Sequence, residues 1–486
     1  MESASGSEAD RFCASAMATQ TTADRWFRGP TGSGSTQPMT QIITSIRKDA
    51  DMTEDAVRRV LAAIEDSRQR IIDDVKRLVE VPSVNPNYPG VRSEDYLGQE
   101  SEANLLLRDR FGYLFDSSQL VKSQEKRENL AGVVKGGGTG RSLLLNGHID
   151  VVPAGNLDTW TGDPFVASEV SGRIHGRGAS DMKSGMVAAF SAIEAIRTSG
   201  IELAGDLVVH SVAGEELGEH EVGTGCMLQH GYIADAAIVV EPSASFDSPL
   251  TINPTAASLL WGRVRVEGLA GHPGLRRELV RAGGAGARAG VNAIDKGYLV
   301  LQALYRIEEQ WGLSKQRPLF KSGHFVVMPG TIHGRGKDID IPFVFAEYCE
   351  IEFIVWYPPE DDSDEVKLEI ESFVNRSVAL DPWLAEHPPT YEWLVEFPGF
   401  NTPDDHEIVR ALGNAHEQGT GSTAIVEAFP AACDATWIAR TDIPVVNYGP
   451  GHLANAHKPN EYCDVDEIIS ATKSLALTAL DWCGVK

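Results

Sequence analysis

The sequence predicts an α/β protein: a mainly parallel sheet flanked by helices, with a small α+β sandwich inserted into it. Three observations carry that expectation. Short β-rich runs alternate with helical stretches from Leu143 onward, the pattern that builds parallel sheets. Near Ser258 the texture changes to apolar–charged alternation, as in half-exposed strands. The length of 486 residues exceeds what one core accommodates, so two domains are expected.

The elements follow in order. Residues 1–50 are rich in Ser, Thr, Gly and Gln without an apolar period, and are expected to form a flexible extension. Leu61, Ile64, Ile71, Val75 and Leu78 recur at helical spacing, and Pro82 ends that helix. Leu143–Leu145, Leu207–Val212 and Ala236–Val240 read as strands. Between the first two, Lys183–Arg197 reads as a helix with Met186, Phe190, Ile193 and Ile196 on one face. From Ser258, Leu260–Val266 and Tyr348–Tyr357 alternate as strands, while Val291–Gln310 and Asp362–Val378 are helical in period. After Pro382 the chain is expected to return to the first domain, with a late strand Ile443–Tyr448 and a closing helix Val465–Trp482. The larger domain is thus expected over 51–257 and 381–486, and the insert over 258–380.

Composition narrows the function. Lys+Arg 43 against Asp+Glu 69 gives a net charge of −26, which argues against nucleic-acid binding and against docking on anionic lipid. No apolar run approaches the ~18 residues of a membrane-spanning helix, and the first residues lack a secretory pattern. Six scattered cysteines without a Cys-x-x-Cys pair read as reduced thiols, so a cytoplasmic enzyme is expected.

Five histidine- or carboxylate-bearing segments sit at or just after strand ends, where open α/β sheets gather their ligands. They are Gly147-His148-Ile149-Asp150, Gly176-Arg177-Gly178-Ala179-Ser180-Asp181-Met182-Lys183, Gly214-Glu215-Glu216, Val240-Glu241-Pro242 and Ala456-His457-Lys458-Pro459-Asn460-Glu461. Singly each is weak, since a histidine after a strand is commonly a packed residue and a Glu-Glu pair a solvated turn. Their joint occurrence in this order is the signal. Imidazole and carboxylate donors without thiolate suit zinc, cobalt or manganese. Glu219-His220-Glu221 reads as a solvated loop, and Lys135–Ser142 as a turn lacking the phosphate-loop spacing.

These segments resemble the co-catalytic zinc hydrolases that include acetylornithine deacetylase, succinyl-diaminopimelate desuccinylase, aminoacylase and carboxypeptidase G. The resemblance runs from Leu78-Val79-Glu80-Val81-Pro82-Ser83-Val84 to the C-terminus. It is carried most specifically by Leu145–Pro153, Trp160-Thr161-Gly162-Asp163-Pro164-Phe165 and Gly176–Lys183. It implies a zinc-peptidase-like catalytic domain with an inserted α+β lid and dimerisation domain, two Zn2+ (Co2+ or Mn2+ as substitutes) and a homodimer. It further implies that His148, Asp181 and Glu241 hold one zinc and Asp181, Glu216 and His457 the other. Asp150 would orient and polarise His148, and Glu215 would be the general base. Successive residues on an extended chain point apart, which suits different roles for Glu215 and Glu216. Two divalent ions outweigh three ligating carboxylates, so the cluster would stay positive and acidify a water between the ions.

In the insert, Gly271-His272-Pro273-Gly274 and Val291-Asn292-Ala293-Ile294 resemble the family's lid. His272 would reach the partner's site to stabilise an oxyanion, and Asn292 would contact substrate. A basic Gly/Ala-rich stretch, 275–290, separates the two matches, as a loop over the site or a longer connection. Where relatives place arginines for a substrate carboxylate, this chain has Trp356 and Thr436; Arg440 or Arg335 would have to serve. Trp311, Trp383, Trp393 and Trp437 read as core residues first. The implied activity is hydrolysis of a small N-acyl amino acid or related amide, closest to the deacetylase and desuccinylase branch. A dipeptidase or carboxypeptidase with the same metal site stays open, as does a catalytically silent binding homologue.

Overall fold

The computed structural model describes residues 54–244, 249–281 and 284–486. The expected extension over 1–50 lies outside the described residues.

Six strands form the first sheet: β1 (Ser117–Gln124), β2 (Arg127–Val134), β3 (Leu143–His148), β4 (Leu207–Val212), β5 (Ala236–Ala244) and β10 (Val445–His452). Their order is β1-β2-β4-β3-β5-β10. The pairings β4/β3, β3/β5 and β5/β10 are parallel, whereas β1/β2 and β2/β4 are antiparallel. Parallel pairing puts the carboxyl ends of β3, β4 and β5 on one edge, and that places the site. The β1–β2 hairpin has no counterpart in the sequence reading, because Ser117, Ser118, Gln119 and Lys122 break its apolar run.

Helices cover the sheet. The long N-terminal helix is two: residues 54–66 are helical, a turn falls at Ser67, and α1 (Arg68–Val79) follows. α3 (Ser184–Thr198), following α2 (Gln99–Phe111), is buried from Ser184 to Ile196 rather than on one face. It packs against the sheet, α1 and α7 (Val465–Cys483), which packs in turn on α6 (Glu407–Thr420), so little of it meets water and its polar residues are small or paired.

The second sheet contains β6 (Ser258–Glu267), β7 (Val326–Arg335), β8 (Tyr348–Tyr357) and β9 (Thr390–Phe397), in the antiparallel order β7-β8-β6-β9. β6 and β8 alternate buried and half-buried residues as their sequences predict. Helices α4 (Ala293–Ser314) and α5 (Ser363–Val378) contribute to a separate apolar core of Val300, Leu304, Trp311, Phe353, Ile370 and Val374. The chain does not leave this layer at residue 380. Leu384 belongs to the second core, and β9 pairs with β6 as far as Phe397. Without β9 the inner strand β6 would be a bare edge. Among the described residues no helix is long and apolar enough to cross a membrane.

Trp311 is fully buried, and its indole N–H donates to Glu369 at 2.8 Å. Trp311→Ala should destabilise the protein by about 3–5 kcal/mol in denaturant unfolding. An unchanged midpoint would show that the second core does not depend on it.

Candidate metal centre

The site begins with the ends of three parallel strands. His148 closes β3, Glu241 lies within β5, and the Glu215–Leu217 turn follows β4. The apolar runs that build these strands stop where His148 and Gly214 begin, so polar side chains emerge together at the sheet edge. Gly214 has φ +87°, and a Cβ there would meet Glu219 Cβ at 3.0 Å, so this position demands glycine. Asp181 comes from the Ala179–Lys183 segment ahead of α3, and its peptide bond to Met182 is cis. His457 comes from the loop after β10, at φ +58°.

His148 Nε2 lies 3.1 Å from Asp181 Oδ1, 3.6 Å from Glu241 Oε1 and 3.7 Å from Glu215 Oε2. His457 Nε2 lies 2.9 Å from Glu216 Oε2 and 3.3 Å from Asp181 Oδ2. Asp181 thus faces both imidazoles, one through each oxygen. Donor atoms of His148, Asp181 and Glu216 all lie within 4.8 Å of one another, and so do those of His148, Glu215 and Glu241. Glu215 and Glu216 diverge, the first toward His148 and the second toward His457. His148 is buried while the His457 side chain is 53% exposed, so the cluster opens to solvent on the His457 side.

The electrostatics fit a cation. Burial above all pushes Glu215 and Glu241 well above the ordinary glutamate range, and raises Glu216 to about 6. Hydrogen bonds from His148 and His457 pull Asp181 down against its burial. His457 is held up to about 11 by its hydrogen bonds to Asp181 and Glu216. Four carboxylates therefore lie close together, and the fully buried Lys183 donates to Val81 O at 2.7 Å. Divalent ions would supply the missing positive charge, and the nitrogen–oxygen donor set suits zinc.

Asp150 makes more contacts than the expected one to His148. His148 Nδ1 meets the main-chain oxygen of Asp150 at 2.9 Å, whereas the carboxylate lies 3.6 Å away. That carboxylate accepts instead from the backbone N–H of Glu215 at 3.1 Å and of Glu216 at 3.2 Å. The Glu219 segment is not a solvated loop: Glu219 pairs with buried Arg127 at 2.9 Å, and the His220 ring stacks on Trp437 with centroids 3.6 Å apart.

Sequence reading assigned no role to Glu461, Arg177 or Asp434. Glu461 Oε1 accepts from the N–H of Ser180 at 2.8 Å and of Asp181 at 3.1 Å, while its other oxygen binds the buried Arg177. Asp434, raised to about 6 by burial, accepts from Thr224 Oγ1 at 2.7 Å. For Arg177 and Glu461 the visible signal is charge inside motif segments already singled out, whereas Asp434 lies outside all of them.

His272, Asn292 and Arg440 stand apart. His272 is exposed and accepts from Gly274 N–H, and Asn292 caps α4. The Arg440 guanidinium, also exposed, sits 6.0 Å from the Trp437 ring centre. Among the described residues no contact joins these three to the cluster. Trp356 packs against the second core, and buried Thr436 donates its hydroxyl to Pro398 O at 2.7 Å.

Comparison with known proteins places the chain in a family. Residues 144–481 match Peptidase family M20/M25/M40. The N-formyl-4-amino-5-aminomethyl-2-methylpyrimidine deformylase of Halalkalibacterium halodurans is 30% identical over 442 residues, 88% of this chain and 98% of that protein. The Bacillus subtilis protein of the same name is 34% identical over 370 residues, 74% of this chain and 84% of that one. A succinyl-diaminopimelate desuccinylase of Polynucleobacter necessarius is 26% identical over 364 residues, 73% of this chain and 87% of its own. Among solved structures, the di-peptidase Dug1p of Saccharomyces cerevisiae has a TM-score of 0.65 at 14% identity, covering 88% of this chain and 98% of Dug1p. Such a likeness shows the fold alone. The chain belongs to Peptidase family M20/M25/M40 and is a hydrolase of it.

Proposed function

We propose that this hydrolase removes a small acyl group, formyl first, from the nitrogen of an amine carried on a heteroaromatic ring, using two zinc ions. The observation that carries the reading is the pair of imidazole–carboxylate clusters sharing Asp181, with Glu215 beside His148. Two further points favour a formamide over the N-acyl amino acid of the deacetylase branch. The deformylases are more similar to the chain than the desuccinylase is. The positions where a carboxylate clamp was sought carry Trp356, packed in the second layer, and Thr436, whose hydroxyl is already committed. A substrate without a carboxylate needs no such clamp.

His148, Asp181 and Glu241 would hold one ion, and Asp181, Glu216 and His457 the other. Bound there, divalent zinc supplies Lewis-acid polarisation of the amide carbonyl and a more acidic water. Glu215 takes a proton from the attacking water and returns it to the departing nitrogen, so formamide and water leave as formate and free amine. Asp150 fixes the base by holding the N–H groups of Glu215 and Glu216. The main-chain oxygen of Asp150 sets the His148 ring, leaving Nε2 to face the cluster.

A homodimer through the second layer belongs to the same proposal. Edge strand β7 shows Met328 and Ile332, and α4 shows Ile294, Tyr298 and Tyr305, all exposed. Such a row beside an open edge favours pairing with a second copy. It would also bring the exposed His272 and Asn292 toward a partner's site. Sedimentation velocity should give twice the chain mass; a single-chain mass at every concentration would contradict the dimer.

The zinc-loaded protein should release formate from an N-formyl-aminomethylpyrimidine faster than it releases amine from N-acetyl or N-succinyl amino acids or dipeptides. A chelator should stop that release. Preference for any other class in the panel would overturn the formamide reading. Glu215→Gln should cut turnover by about 100-fold or more while the metal content stays unchanged. Near-normal activity in that variant would remove Glu215 as the base.

A further inference from the structure

Behind the Glu215–Glu216 turn runs a continuous hydrogen-bond chain of which the proposed reaction uses only the last member, Asp150. It starts at Arg127 on β2 and Glu100 on α2, both fully buried. The Arg127 guanidinium grips Glu100 with two hydrogen bonds, Nε to Oε2 at 2.5 Å and Nη2 to Oε1 at 2.7 Å. The same Nη2 lies 2.9 Å from Glu219 Oε2. Glu219 also accepts from Asn85 Nδ2 at 3.0 Å and from Asn87 Nδ2 at 2.7 Å. Asn85, itself fully buried, donates to Asp150 Oδ2 at 3.0 Å. Asp150 then accepts from the N–H groups of Glu215 and Glu216.

Each link has one chemical sense. The Asn85 amide is a donor set between two carboxylates, Asp150 and Glu219, which would otherwise repel. Arg127 is the cation that lets Glu219 stay ionised in that position, and burial of the pair makes its geometry costly to change. The backbone closes the same loop: Glu219 N–H donates to Gly214 O at 2.8 Å, and Gly218 N–H to Glu215 O at 2.6 Å. Asn85 is likewise fixed, its N–H donating to Val151 O at 3.0 Å beside the Val84–Val151 bridge. Of the residues in this chain only Asp150 touches an imidazole, so the side-chain network reaches the site through Asp150.

We propose that Glu219 is a positioning residue which, through Asn85 and Asp150, holds the Glu215–Glu216 turn in register with His148 and Glu241. The inference rests on the reading of Glu215 as the base. It extends that reading to residues on β2, α2 and the loop after α1, elements remote from the cluster in sequence.

Glu219→Gln, Asp150→Asn and the double variant test it, with Arg110→Gln as control. Glutamine keeps the volume of Glu219 but turns one acceptor toward Arg127 and Asn85 into a donor. Arg110 anchors a separate ion-pair group with Asp74 and Glu194, so its loss destabilises without touching the turn. In the protein as purified, the backbone amides of Glu215 and Glu216 should exchange hydrogen about 10-fold faster in Glu219→Gln and unchanged in Arg110→Gln. On whichever amide the wild type cleaves, Glu219→Gln should lower kcat about 10-fold at constant KM and metal content. The double variant should be no slower than Asp150→Asn alone, because the two act in one chain.

Wild-type exchange at Glu215 and Glu216 in Glu219→Gln would overturn the proposal, as would multiplied losses in the double variant. The exchange measurement needs no turnover. A protein that cleaves no amide would refute the hydrolytic reading and still leave the positioning of the turn decided by exchange.

Discussion

Burying four carboxylates within a few ångströms of one another is the constraint on which the rest of this protein depends. Asp181, Glu215, Glu216 and Glu241 converge on His148 and His457 at the edge of a parallel sheet. Such a cluster is costly without compensating charge, and the structure meets the cost in two ways. The imidazoles supply nitrogen donors and hydrogen bonds. Backbone N–H groups and buried arginines hold the acids from behind: Arg177 through Glu461 under Asp181, and Arg127 through Glu219 on the far side of the Glu215–Glu216 turn. What remains uncompensated is a place for cations.

The parallel pairing of β3, β4 and β5 makes the convergence possible. Each strand delivers one polar segment to the same edge, while α3, buried from Ser184 to Ile196, locks the Asp181 segment against them. The second layer has its own core and leaves its edge strand and one helix face apolar and exposed. On the proposed reading, the surface that would meet a second copy is thus separate from the residues that would hold metal. Proteins similar to this chain carry the names of deformylases and of a desuccinylase.

Much of this was legible in the sequence because the signals are local. Apolar runs ending in Gly-His or Gly-Glu-Glu mark strand ends, the run before Glu241-Pro242 marks a strand that continues to Ala244, and the late strand and closing helix fall within a few residues of β10 and α7. What escaped is non-local. Asp150 was paired with His148, two residues away, whereas its carboxylate serves N–H groups 65 and 66 positions further on. Glu219 reads as a solvated loop residue because its cation, Arg127, lies far away in sequence, at the start of β2. β9 was assigned to the wrong layer, since nothing near Thr390–Phe397 in sequence reveals that β6 still lacks a neighbour.

Anomalous scattering at the zinc edge, from crystals grown with zinc, tests the central claim most directly. Two peaks are expected about 3.5–4 Å apart, one among His148, Asp181 and Glu241 and the other among Asp181, Glu216 and His457. A cluster without anomalous density at saturating zinc, or peaks ligated by other residues, would contradict it.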